Sequence, residues 1–449
     1  MNMEELIKKY DVAGPRYTSY PTVPAWNTAD FNIDNWEKDL QISFHNNAEI
    51  GIYIHLPYCE SLCTFCACHK HITVNHDVET SYINAVLHEW KLYTQFMTEK
   101  PILNELHLGG GTPSFFAPEQ LERLVKGILQ DVTLAPDFEM GFEGHPMNTT
   151  ENHLQTLYNL GFRRVSFGVQ DYNKHVQKAI HRHQPFEAVK KVTEAARNIG
   201  YTSISHDLVY GLPFQTLDSI TDTVEKTLNL HPDRLSFYSY AHVPWIKGNG
   251  QRGFKDSDLP SGAEKRKLYD LGKKLFEATD YEEIGMDHFA KKTDTLFKAR
   301  ERGRLHRNFM GYTHHHSRLL IGLGVSSIGN THKAYMQNEK NIGLYSLKVQ
   351  QGLWPITKGH LLNETDVLCR EIIEDIMCNF KTDKLREFSL TDSFIYQKLE
   401  DFENDGLLTF DQNQLHITDT GKTFVRNIAM LFDQYLHQKE HKQTFSKTI

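Results

Sequence analysis

From about residue 50 to residue 240 the chain alternates short apolar runs, rich in β-branched residues, with longer stretches of helical period. The runs IGIYIHLP (50–57), ILNELHL (102–108), FEMGFEG (138–144), RRVSFGVQ (163–170), SISHDLVYG (203–211) and RLSFYSYA (234–241) predict six strands. Several are apolar almost throughout, as strands are when both faces are covered. The intervening segments predict helices. In TTENHLQTLYNLG (149–161) a threonine with an acidic or amide residue three positions on predicts an N-cap, and Gly161 falls where a C′ glycine belongs. PFEAVKKVTEAARNIG (185–200) repeats the pattern and ends at Gly200. Strands alternating with helices imply βαβ units and a parallel sheet. With YEEIGMDHF (281–289) as a seventh candidate strand, the expectation is an α/β fold: a complete or partial βα barrel, with its chemistry at the C-terminal strand ends.

The pattern changes at both ends. The first 45 residues contain GPRYTSYPTVPAW (14–26), rich in Pro, Tyr and Thr, and predict an extended arm. Toward the C-terminus it turns helical: NETDVLCREIIEDIMCNF (363–380) and DSFIYQKLEDFENDGLLTF (392–410), a hairpin of LLTF and LHIT around DQNQ, then one helix over 420–438. Helix–hairpin–helix also fits a winged-helix nucleic-acid module. A net charge of −8 and the lack of a basic recognition helix favour a structural cap. The expected organisation is an arm (1–45), a barrel (46–355) and a mainly helical cap domain (356–449).

Composition adds little until the cysteines. At 449 residues, with 39% hydrophobic and 24% charged residues, the chain reads as an ordinary globular protein. It shows no signal-peptide core and no uncharged apolar run of about 18 residues, so the expectation is a cytoplasmic protein with no membrane partner. Four of the six cysteines, 59, 63, 66 and 68, fall within ten residues; the others are 369 and 378. Such clustering suggests a metal site in a reducing compartment rather than a disulfide framework.

HLPYCESLCTFCACHK places a C-x3-C-x2-C motif directly after the first predicted strand. Zinc sites prefer two C-x2-C pairs, and a second pair is missing. Three thiolates on one loop instead leave one iron of a 4Fe–4S cubane without a protein ligand. That open iron can chelate the amino and carboxylate groups of S-adenosylmethionine, and an electron from the cluster then breaks a carbon–sulfur bond. The glycines 109–111, ending the second strand, permit close backbone approach to a ligand; the plain alternative is a tight strand-to-helix turn. No Gly-Lys-Ser/Thr follows to make a phosphate loop.

The cysteine motif, with Phe65 before its last cysteine, is that of the radical S-adenosylmethionine superfamily. Over nearly its whole length the chain resembles the oxygen-independent coproporphyrinogen III oxidases. The likeness is carried by GPRYTSYPT (14–22), CTFCAC (63–68), GGGTPS (109–114), FGVQD (167–171), DLVYGLP (207–213), YAHVP (240–244), IGMDHFA (284–290), LHRNFMGYT (305–313), GVSSIG (324–329) and RNIAMLFDQYL (426–436). The heme chaperones of the same superfamily lack the PRYTSYP arm and the fourth cysteine; both are present here. Enzymes that open or alkylate heme are the other alternative.

The resemblance implies a partial (β/α)6 barrel whose cluster is held by Cys59, Cys63 and Cys66. Tyr53, Gly110, Gly111, Thr112, Glu143 and Ile328 match residues that hold S-adenosylmethionine on the cluster. Phe65, Gln170, Arg182, Asp207 and Ala241 match those around a second S-adenosylmethionine molecule. Tyr53, Glu143 and Cys68 are the expected catalytic residues, with Cys68 near the substrate and not a ligand. The implied reaction starts when a 5′-deoxyadenosyl radical removes a β-hydrogen from a propionate of coproporphyrinogen III. Loss of CO2 and one electron leaves a vinyl group, and two such steps give protoporphyrinogen IX in heme biosynthesis. The implied partners are this substrate and an electron donor such as flavodoxin or ferredoxin, with no nucleic acid and a monomeric chain. Arg16 and Arg307 are candidates for the substrate carboxylates, because a guanidinium matches a carboxylate with two parallel hydrogen bonds. Two positions depart from the pattern: His145, where an acidic residue is more usual, and the run His314–His316, which could bind metal but reads as a solvated loop.

Overall fold

A computed structural model describes residues 1–46, 49–244, 251, 253–317, 319–388, 393–438 and 445–448. Twelve strands form the main sheet: β1 Glu49–Leu56, β2 Ile102–Gly110, β3 Thr133–Gly144, β4 Arg164–Gln170, β5 Ser203–Tyr210, β6 Arg234–Ser239, β7 Tyr281–Gly285, β8 His288–Lys291, β9 Leu319–Leu323, β10 Ile328–Asn330, β11 Ala334–Asn338 and β12 Ile356–Leu361. Their order is β12-β11-β10-β9-β1-β2-β3-β4-β5-β6-β8-β7. From β1 to β6 neighbours in sequence are neighbours in space, and all these pairs are parallel. This is the expected run of six βα units.

Ile50, Ile52 and Ile54 of β1 and Leu103, Leu106 and Leu108 of β2 are buried. They share one core with Ile83, Val86 and Trp90 of helix Val78–Thr94 and with Leu121, Leu124, Val125 and Ile128 of helix Pro118–Leu129. Each such aliphatic side chain stabilises the fold by about 1.5–3 kcal/mol through burial. Capping follows the expectation with a one-residue shift. Thr150, not Thr149, caps helix Glu151–Asn159, and its reciprocal partner is His153, whose ring replaces the acidic or amide group. Gly161 and Gly200 take φ of +108° and +114°.

The seventh parallel strand lies elsewhere than expected. Residues 281–289 fold into an antiparallel hairpin, β7–β8, on the sheet edge, because Asp287 turns the chain with φ +66°. The strand parallel to β1 on its other side is β9. Antiparallel β10–β12 continue from it.

The first 45 residues are not simply extended. They hold helix Met3–Tyr10, opened by a capping box of Asn2 and Glu5, and helix Ile33–Asn46. Leu6, Tyr10, Tyr17 and Tyr20 are buried in a second core with Ile372, Ile376, Leu399, Phe424 and Ile428 from the C-terminal elements. Those elements are helix Glu364–Asn379, helix Ser393–Asn404 (the expected first residue, Asp392, lies outside the described residues) and a three-stranded sheet. The sheet contains the expected hairpin Leu408–Phe410 with Leu415–Ile417. The single helix expected over 420–438 is broken into Asp419–Lys422, Val425–Ala429 and Gln434–Gln438, with a 3-10 turn at Met430–Phe432. Arg426 and Asn427 instead donate to arm carbonyls: Arg426 to Gly14 and, at 2.9 Å, Pro15; Asn427 to Tyr10 at 2.8 Å. Among the described residues, no helix is long and apolar enough to cross a membrane.

Candidate active site

The cysteine loop leaves the C-terminal end of β1 and is closed at its base. Tyr58–Cys59 pairs in parallel with His71–Ile72, with His71 N–H donating to Pro57 O at 2.8 Å and Thr73 N–H to Cys59 O at 2.9 Å. Its middle is pinned from outside by Thr64, whose N–H donates to Ile180 O and whose hydroxyl donates to Ala179 O, both at 3.0 Å. Lys70 Nζ donates to Cys66 O at 2.9 Å.

Cys59, Cys63, Cys66 and Cys68 line one cavity of about 300 Å³ together with Phe65, Gly110, Gly111, Thr112, Glu143, Gln170, Arg182 and Asp207. The contributions come from the ends of β2 to β5, as the barrel argument requires. Gly110 has φ +120°, and a Cβ on it would stand 2.9 Å from the His55 ring; a Cβ on Gly111 would stand 2.5 Å from Pro57 O. Both glycines are therefore obligatory, and they leave bare backbone facing the thiols. Gly110 N–H donates to Glu143 Oε2 at 3.3 Å, and Thr112 Oγ1 lies 3.3 Å from Cys59 Sγ. Arg182 reaches across with Nη1 3.6 Å from Cys63 Sγ and Nη2 donating to Gly168 O at 2.6 Å. Asp207 accepts from Ser166 Oγ at 2.8 Å. Burial raises its carboxyl to about 6, against hydrogen bonds from Ser166 and Ser236 that lower it. Gln170 ends β4 with φ +70°, beside a register shift.

Three expected residues lie off the cavity wall. Tyr53 stands behind Glu143: its hydroxyl is 3.1 Å from His55 Nδ1, and its ring stacks on His107. Ala241 and Phe65 are joined by Gln251, whose side-chain amide donates to Ala241 O at 2.9 Å and Phe65 O at 3.1 Å. Ile328 packs against Trp26, Tyr335 and Leu362. Sequence reasoning missed Gln251, Ser166, Lys70 and Tyr238, the last also lining the cavity; none belongs to a recognisable spacing.

Two expectations about the periphery change. Arg16 forms a half-buried ion pair with Asp287 (2.6 Å) and donates to Ser239 O. It lines a different cavity with Tyr210 and Ser239, whereas their strand neighbours Val209 and Tyr238 line the thiol cavity. Strand alternation thus puts Arg16 on the opposite face of the sheet from the thiols. Arg307 differs: its Nε and Nη1 are buried with no hydrogen-bond partner among the described residues. The histidine run is not a uniformly solvated loop, since His315 is buried and only His316 is exposed.

The residues fit a three-thiolate cluster better than a single zinc ion. Cys66 is held down to about 6 by Cys68, Lys70 and Arg182, which together outweigh the opposing effect of burial and favour its thiolate. Among the described residues the ligand atoms that gather within 4.8 Å of one another, as a single tetrahedral ion needs, lie elsewhere. A cubane instead takes each thiolate on a different iron. A barrel with a cysteine loop after its first strand defines the radical S-adenosylmethionine class, and the family model described as "Radical SAM superfamily" matches residues 53–227. The chain is 40% identical to an oxygen-independent coproporphyrinogen III oxidase of Helicobacter pylori, over 99% of both chains. It is 37% identical to that of Pseudomonas aeruginosa, over 99% of this chain and 98% of the relative. The solved coproporphyrinogen III oxidase of Escherichia coli, a Radical SAM enzyme, superposes with a TM-score of 0.89 at 34% identity, over 96% of this chain and 99% of that one. The chain belongs to the oxygen-independent coproporphyrinogen III oxidase family, and its cofactors are a 4Fe–4S cluster and S-adenosylmethionine.

Proposed function

We propose that this chain oxidatively decarboxylates two propionate side chains of coproporphyrinogen III to vinyl groups, giving protoporphyrinogen IX. The observation that carries the reading is the sharing of one cavity by the three thiols of the C-x3-C-x2-C loop, the bare backbone of Gly110–Gly111 and the polar set Glu143, Gln170, Arg182 and Asp207. When bound, the cluster and S-adenosylmethionine supply the electron and the 5′-deoxyadenosyl radical. Cys59, Cys63 and Cys66 hold the cluster. Glu143, held by Gly110 N–H, takes the ammonium end of S-adenosylmethionine, and Tyr53 supports it from behind. Asp207, Gln170 and Arg182, with the Phe65 and Ala241 backbone tied by Gln251, line room for a second S-adenosylmethionine. The unpartnered N–H groups of Arg307 receive a substrate carboxylate.

The arm (1–45) closes the substrate side of the barrel (46–355) through its packing on the C-terminal part (356–449). The enzyme works as a cytoplasmic monomer, reduced by a flavodoxin or ferredoxin. The test is an anaerobic assay with coproporphyrinogen III, S-adenosylmethionine and a reductant, with Cys59→Ala as control. Protoporphyrinogen IX and 5′-deoxyadenosine from wild type alone support the reading. Cleavage of S-adenosylmethionine without any vinyl product would refute the substrate, and retained zinc with no iron would refute the chemistry.

A further inference from the structure

The histidine run at 314–316 takes no part in the thiol cavity. His314 faces Glu139, with Nδ1 4.0 Å from Oε2. His316 departs from it: its Nδ1 stands 2.8 Å from Nδ1 of His306, and the ring centroids are 4.1 Å apart. His306 Nδ1 is in turn 3.0 Å from Glu374 Oε1, and the three ligand atoms lie within 4.8 Å of one another. They come from separate elements. His306 is on the short strand His306–Asn308, His316 lies just beyond its hairpin partner Gly311–Thr313, and Glu374 is on helix Glu364–Asn379.

Two like ring nitrogens facing each other cannot both keep a lone pair or both keep a proton. One must donate to the other, and Glu374 competes for the same hydrogen. A divalent ion satisfies all three at once. Two imidazoles and one carboxylate are a recurrent zinc set with an open fourth position. Zinc bonds of about 2.0–2.1 Å place tetrahedral ligands roughly 3.3 Å apart. The contacts of 2.8 and 3.0 Å therefore need to open by a few tenths of an ångström, the third separation lies within 4.8 Å, and the exposed His316 ring supplies the movement that evens them. The three residues also line a cavity of about 160 Å³ shared with Tyr17–Tyr20 of the arm, which gives a fourth ligand or water access.

We propose that His306, His316 and Glu374 form a second metal site, for a divalent transition ion of the zinc type, independent of the cluster. The ion clips the 306–313 hairpin to the C-terminal helix beside the arm. It does not rest on the substrate assignment, and its test reads metal rather than turnover.

Holoenzyme with a filled cluster is equilibrated anaerobically with Zn2+, desalted, and analysed for zinc and iron. The expected result is about one zinc per chain with iron unchanged. His316→Ala and Glu374→Gln should each weaken zinc retention against a competing chelator by roughly tenfold or more, since even residues that merely support ligands cost about 10–100-fold. Zinc should raise the melting temperature of wild type but not of His316→Ala, a variant at an exposed position that keeps the fold. Absence of zinc from the holoenzyme, equal retention by both variants, or zinc uptake matched by iron loss would each overturn the site.

Discussion

Arg182 and Cys63 meet across the strand ends, with Nη1 3.6 Å from Sγ, while the same guanidinium is anchored by Gly168 O and leaves Nε without a partner among the described residues. With Cys63 as a proposed cluster ligand, a fixed cation beside its thiolate would favour the reduced, more negative cluster. Arg182→Leu should therefore keep about four irons per chain while lowering the midpoint potential, and cleavage of S-adenosylmethionine should fall by about tenfold or more. A redox titration followed by electron paramagnetic resonance checks this. An unchanged potential would reduce Arg182 to a packing residue.

The Arg16–Asp287 pair should matter for stability rather than for substrate. Asp287 is buried while Arg16 is 27% exposed, so removing the arginine strands a buried carboxylate at a cost below the roughly 3–5 kcal/mol of a fully buried pair. Arg16→Ala is expected to lower the melting temperature markedly with the cluster intact. Arg16→Met combined with Asp287→Asn should recover much of the loss, because asparagine tolerates the positive φ at 287. A lone Arg16→Ala that is as stable as wild type but inactive would return Arg16 to the substrate.

These outcomes turn on features that differ in how far the sequence exposed them. β1 to β6 were legible because burial on both faces demands near-continuous apolar runs, and the cluster loop because its spacing is set by cubane geometry. β9 was hidden behind GYTHHH, whose polarity masked the five-residue LLIGL. The β7–β8 hairpin looks like one strand in the sequence because its turn depends on Asp287 adopting φ +66°, a backbone state no periodicity reports. The Asn2–Glu5 capping box is legible in the sequence as Asn with Glu three residues on. The break in the last helix was not visible at all: it serves hydrogen bonds from Arg426 to carbonyls more than 400 residues earlier. The place of Arg16 is hidden for a similar reason, since its partner Asp287 lies 271 residues away.

Acid should destabilise the fold through buried histidines. Burial holds His206 down to about 3 and, with Arg307 nearby, His288 down to about 4. Both are neutral when folded but protonate on unfolding below about pH 6.5, the unfolded value. The unfolded chain then binds more protons, so stability is complete above that pH and is lost as pH falls. His206→Leu should flatten the slope by about 1.4 kcal/mol per pH unit. At neutral pH it should cost about 1 kcal/mol, because the Thr193 hydroxyl loses its 3.0 Å partner. Melting temperatures of the two proteins between about pH 7 and pH 5 decide the matter. Parallel curves would remove His206 from the account.

Cys68 is the residue that counting alone misassigns. It is exposed and lies two residues past Cys66, so arithmetic makes it a fourth cluster ligand. The chemistry opposes that, because a fourth thiolate would close the iron that S-adenosylmethionine must reach. Its closeness to Cys66 raises its own thiol and lowers that of Cys66. It also stands within electrostatic reach of Glu143 and Tyr53. Serine preserves the hydrogen-bond donor but not the sulfur. Cys68→Ser should then keep the iron content and the cluster spectrum while lowering vinyl product, with S-adenosylmethionine cleavage less affected. Cys68→Ala, lacking the donor, should in addition change the spectrum of the Cys66-bound iron. Iron stoichiometry, spectrum and product yield on one anaerobic preparation separate the cases. Cluster loss in the serine variant would make Cys68 a ligand, and full product yield would leave it as packing beside Cys66.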